Sequence, residues 1–161
     1  MASKQLLSAF QVIRSVDQQQ MHPVLKQEES SLFFTVAMLI VTAYFFLGSV
    51  PLLVLKHDNP VDASFIRSFY NTYYRIAFVV ASGTMLSYVF SGRIVFATGA
   101  AAIAALTLAL RATFLPRMDA LGNQIQANDA VAIPVFRKIH KTAIAINLFQ
   151  LVVIVGSLGS Y

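Results

Sequence analysis

Three groups of side chains in this sequence are equipped for chemistry. The first is a pair of histidines, His57 and His140, each beside a long apolar run. Two helices presenting histidine at one depth are the minimum for bis-histidine haem b. His57 lies near a loop proline and His140 is flanked by Lys138 and Lys141, a setting that favours solvated imidazoles and makes haem the least favoured reading. His22 precedes Pro23 on the opposite side and cannot join them.

The second group is cationic. Arg75 and Arg111 fall inside the margins of apolar runs, with Arg67, Arg117, Arg137, Lys138 and Lys141 close by. A guanidinium at the centre of a bilayer costs at least about 2.5–3.5 kcal/mol on insertion scales, so both arginines are expected to snorkel to one interface. Together these residues form a basic collar, with Tyr70, Tyr73 and Tyr74 as an aromatic belt at the same level. The collar anchors the chain to lipid phosphate, or it clamps an anionic head group such as that of cardiolipin, or an anionic substrate.

The third group is polar and uncharged. Thr35, Thr42 and Ser49 recur seven apart, as do Arg75 and Ser82; Thr107 and Arg111 are four apart; His140, Asn147 and Gln150 share one helical face. Polar side chains in hydrocarbon turn toward other helices, so Thr42, Ser82, Thr107, His140, Asn147 and Gln150 are expected inside a bundle, as glue between helices or as a polar path. Ala97, Ala101, Ala105 and Ala109 add a ridge of small residues at four-residue steps.

Much is missing. None of the seven acids (Asp17, Glu28, Glu29, Asp58, Asp62, Asp119, Asp129) falls inside an apolar run, which argues against carboxylate-relayed pumping by this chain alone. With no cysteine, thiolate nucleophiles, disulfides and cysteine-ligated metals are excluded. No catalytic set, phosphate-cradling loop or metal-ligand spacing stands out, so the sequence points away from an enzyme and names no cofactor.

The elements that position these groups follow from composition. Of 161 residues 57% are hydrophobic and only 12% charged, against roughly 45–50% and about 25% in soluble domains. That little charge cannot coat a water-facing surface, and an integral membrane protein follows. A hydrocarbon core of about 30 Å takes roughly 20 apolar residues as helix. The sequence predicts four spans, at about 31–55, 73–90, 94–115 and 141–158, forming an all-α four-helix bundle.

Pro51 is expected to kink the first span. Ser91, Gly92 and Arg93 make a tight hairpin, and a long polar connection follows Pro116. Residues 1–30 read as an amphipathic N-terminal arm, from Leu6, Phe10 and Ile13 at helical spacing. With no acid before Asp17, this arm also has the composition of an organelle address. Counting Lys and Arg by side gives a weak bias placing both termini outside the cytoplasm or matrix. A mitochondrial or bacterial inner membrane is expected.

Residues 136–148, with Phe136, Ile139, His140, Asn147 and Leu148, resemble the F-x-x-[LI]-H-x-x-S-x-x-x-N-L pattern of the small four-helix membrane family DUF4149, the transmembrane-205-like proteins. Leu115-Pro116-Arg117, Gly48 through Pro51 and Tyr73-Tyr74-Arg75 are similar to that family too, so the likeness covers about 34–156. The chain departs at Thr142-Ala143, where the family often carries its small hydroxyl residue one position later. A more distant likeness is to DUF1772, whose His-rich signature is absent. The resemblance implies a four-helix bundle and no established chemistry.

Three functions remain. The leading one is a non-catalytic accessory subunit of a larger membrane complex, of respiratory or other energy-transducing kind. The alternatives are a small transporter or lipid-binding protein using the collar, and a haem-binding redox protein.

Overall fold

A computed structural model describes the backbone of residues 2–54 and 60–159, and side chains over 26–54 and 61–159. Among these residues the chain is all-α. Helix α1 covers Ala2–Ser49, α2 Pro60–Phe90, α3 Ile94–Gln126 and α4 Ala132–Leu158, with a 3-10 turn at Pro51–Val54 after α1. Helix α2 packs most extensively on α3, and α1 and α4 complete the bundle.

Among the described residues, three segments are long and apolar enough to cross a membrane: Lys26–Val54, Ile94–Gln126 and Ala132–Leu158. Helix α2 falls short by composition, because Asp62, Arg67, Asn71, Arg75 and four tyrosines dilute its apolar residues. At about 1.5 Å per residue, α2 and α3 measure roughly 46 and 50 Å, well beyond a hydrocarbon core.

Several expected boundaries move. Pro51 does not kink α1; the helix stops at Ser49, as the clash of a proline ring with the preceding backbone dictates. Residues 2–30 are not a separate helix, since α1 runs through position 30 without a break. Helix α2 begins at Pro60, whose missing N–H costs nothing in a first turn, with Asp62 beside the positive end of the helix.

Pro116 does not end α3. The helix continues ten residues further, so the long polar connection shrinks to 127–131. Met118 and Ile125 explain this, because both are buried in the core formed with Ala63 and Ile66 of α2. Burying such side chains is worth about 1.5–3 kcal/mol each, enough to offset the roughly 3 kcal/mol of an interior proline. The short turn that remains is closed by Asn128 at φ 64° and by the Asp129 carboxylate accepting from the Val131 N–H at 3.0 Å.

The α2–α3 hairpin matches expectation, with Gly92 at φ 70°. It is pinned to α1: Ser31 and Ser91 hydroxyls lie 2.7 Å apart, Thr35 and Tyr88 hydroxyls 2.7 Å apart, and Arg93 pairs with Glu28 at 3.2 Å. Gly83 lets α1 approach, because a Cβ there would come within 2.7 Å of the Phe34 ring. The neighbouring Thr84 hydroxyl donates to the Phe34 carbonyl at 3.2 Å.

Candidate functional site

The bundle interior holds two polar zones separated by an apolar layer. Near the hairpin, Ser31, Thr35, Thr84, Ser87 and Tyr88 are buried and hydrogen-bonded to one another or to helix carbonyls. A layer of Met38, Ala81, Ala104 and Ile154 follows. Beyond it, toward the basic end, lie Thr42, Ser49, Tyr70, Tyr73, Tyr74, Thr107, His140, Asn147 and Gln150, all buried.

This second zone is built from one stripe per helix. On α1 the seven-residue repeat turns Thr42 and Ser49 inward. On α4, 140, 143, 147, 150 and 154 alternate steps of three and four, which keeps His140, Asn147 and Gln150 on the buried face. On α2 the same stepping joins Tyr70, Tyr74, Ala77, Ala81, Thr84 and Tyr88.

The tyrosines therefore do not form the expected interfacial belt; they fill the interior. The buried stripe that continues backwards from Tyr88 through Ala81 and Ala77 is the signal that places them there. Tyr73 donates to Gln150 Oε1 at 3.2 Å, and the Tyr70 ring meets His140 edge-on at 5.7 Å. Phe45 of α1 packs on Tyr73 at 5.0 Å, which closes the cluster on that side.

Hydrogen bonding in this zone is incomplete. The Tyr74 hydroxyl, both polar atoms of the Asn147 amide and the Gln150 amide nitrogen have no hydrogen-bond partner among the described residues. An unmade hydrogen bond on a buried group costs about 1–3 kcal/mol, so such groups call for an explanation beyond packing. The zone offers donors and acceptors of neutral polar type.

Of the residues expected in the interior, Thr42, Thr107, His140, Asn147 and Gln150 are buried there, whereas Ser82 is only partly buried. Arg75, expected on the same stripe as Ser82, is exposed. The inward face of α2 runs through Tyr74 and Ala81, and a seven-residue spacing taken from Arg75 follows the adjacent face. His140 is fully buried rather than solvated. Its expected haem partner, His57, lies outside the described residues.

The alanine ridge is also displaced. Ala97, Ala100 and Ala104 face the bundle, while Ala105 and Ala109 are exposed. Four-residue steps advance 400° rather than 360°, so the ridge drifts about 40° per step and leaves the interior within three steps. On the outside it joins Thr98, Ala102, Ala105, Ala109 and Ala112, all exposed, at steps of four, three, four and three. That spacing is a heptad seam of small residues on the outer face of α3.

The basic collar is dispersed around the end of the bundle. Arg67 pairs with Asp119 across α2 and α3. The same antiparallel register puts Arg75 level with Arg111, the first exposed and the second half-buried. Arg137 is half-buried and Lys141 exposed. Arg117 and Lys138 share a concave site, a cleft of about 490 Å³ between α3 and α4. Its other walls are Phe114, Ala120, Leu121, Val135, Ile139 and Thr142.

No family model matches the chain, and no curated protein or solved structure is significantly similar to it. What the fold and site define is a four-helix, all-α bundle with helices long and apolar enough to cross a membrane and with a polar interior.

Proposed function

We propose that this protein crosses the membrane four times and serves as a non-catalytic accessory subunit of a larger membrane assembly, of the energy-transducing kind. The DUF4149 resemblance is carried forward in the same proposal, as a common architecture. The observation that carries the reading is the exposed seam Thr98, Ala102, Ala105, Ala109 and Ala112 on α3. Between helices in lipid, close approach of backbones replaces the hydrophobic effect as the driving force, and small residues at heptad spacing permit it. The bundle already buries a different face of α3, so the seam remains for a helix of another chain.

In this reading α2 crosses the membrane despite its composition, because Tyr70, Tyr73, Tyr74, Thr84, Ser87 and Tyr88 face the bundle and not the lipid. The basic end lies at the level of anionic head groups on one leaflet, where each Lys or Arg near the surface is worth about 1 kcal/mol.

The native absence of cysteine provides a direct test. A single cysteine at Ala105, labelled in native membranes with a thiol-reactive benzophenone and photolysed so that it inserts into any neighbouring C–H bond, is expected to give one discrete adduct containing a second polypeptide. A cysteine at Phe149, exposed on α4, serves as the control. Equal adducts from both positions, or none from Ala105, would overturn the reading.

A further inference from the structure

We propose that the cleft between α3 and α4 holds one anionic phospholipid, its phosphate between Arg117 and Lys138 and an acyl chain against Phe114 and Ile139. This rests on the reading that the basic end lies at head-group level.

Charge comes first. Neither Arg117 nor Lys138 has an ion-pair partner among the described residues, and the acid nearest in sequence, Asp119, is engaged by Arg67. The cleft therefore carries two uncompensated cations. Shape and polarity come second. Its volume is about 490 Å³, and between the cations its walls are almost wholly apolar. The one hydroxyl there, Thr142, already donates to the Lys138 carbonyl at 3.0 Å, so it asks for no polar guest.

A free inorganic anion would satisfy the cations and leave the apolar wall wet, whereas a neutral lipid would do the reverse. An anionic amphiphile satisfies both. The orientation also fits. Phe114 on α3 and Ile139 with Thr142 on α4 lie on the side of the cations that leads into the apolar stretches of both helices, while Leu121 and Val135 close the outer end.

Native mass spectrometry of the protein purified in mild detergent, supplied with equal phosphatidylglycerol and phosphatidylcholine, reads this directly. The wild type is expected to retain one phosphatidylglycerol with at least five-fold preference. The double variant Arg117→Gln/Lys138→Gln should lose that preference. Ala120→Trp, which fills the cleft without changing charge, should lose the bound lipid as well. Lys26→Gln, an exposed cation at the opposite end of the bundle, should behave as wild type, and circular dichroism checks that each variant keeps its helices. A wild type without preference for phosphatidylglycerol overturns both the site and the head-group reading. Preference that survives in the double variant or in Ala120→Trp, or that falls equally in Lys26→Gln, overturns the cleft alone.

Discussion

Replacing Asn147 by leucine is expected to stabilise the isolated protein, an uncommon outcome for a buried substitution. Asn147 is fully buried, and neither its carboxamide oxygen nor its nitrogen has a hydrogen-bond partner among the described residues. Each such atom costs about 1–3 kcal/mol. Leucine has similar bulk and no polar atom, and Asn147 shares its face of α4 with the buried Ala143 and Ile144.

Allowing for imperfect repacking of about 1 kcal/mol, the net gain from the two atoms should be about 1–5 kcal/mol. For a chain of this length each kcal/mol moves the midpoint by about 2–4 °C, so Tm should rise by about 2–20 °C. The assay is thermal unfolding in detergent followed by circular dichroism at 222 nm, because the absence of tryptophan removes the usual fluorescence probe. Gln150→Leu is the internal contrast. It removes one unbonded amide nitrogen but leaves the Tyr73 hydroxyl without its acceptor at 3.2 Å, so the two effects offset and Tm should rise less than in Asn147→Leu. A fall of several degrees in Asn147→Leu would refute the reasoning, because it would mean that the amide is bonded in the isolated protein.

Other outcomes follow from the packing. Gly83→Leu should disrupt the α1–α2 contact, since even a Cβ would come within 2.7 Å of the Phe34 ring; a loss of about 1–3 kcal/mol in thermal unfolding is expected, and an unchanged Tm would contradict the close approach. Pro116→Ala should raise stability by up to about 3 kcal/mol by restoring a backbone hydrogen bond within a helix that is continuous without it; a lower Tm would show that α3 needs the proline. Arg67→Ala should change stability by less than about 1 kcal/mol, because its pair with Asp119 is roughly half exposed on both sides. A larger loss would show that the pair clamps the ends of α2 and α3.

Much of the architecture was legible because it depends on periodicity and composition. The 25 uncharged residues at 31–55 and the alanine-rich run from Ile94 require helices that bury or cross, and Ser91-Gly92-Arg93 permits little but a hairpin. The stripes on α1 and α4 were legible for the same reason: Thr42, Ser49, His140, Asn147 and Gln150 repeat in step with the helix and are all buried. Helix ends were less legible. Pro116 locally favours termination, but burial of Met118 and Ile125 decides the matter from across the bundle.

The tyrosines misled for a related reason. An interfacial position and an interior one both suit an amphipathic ring, and only the stepping from Tyr88 back to Tyr70 distinguishes them. The cleft holding Arg117 and Lys138 was beyond reach of sequence, because it depends on how closely α3 and α4 approach.

The central claim is that the outer seam of α3 docks this subunit onto another chain. Native electrophoresis of membranes solubilised in a mild detergent tests it most directly. The account predicts that the wild type migrates within a complex far larger than its own 17.7 kDa. It also predicts that Ala105→Phe/Ala109→Phe, which roughens the seam without touching the bundle core, releases the chain from that complex. A wild type that migrates alone, or a double variant that stays assembled, would contradict it.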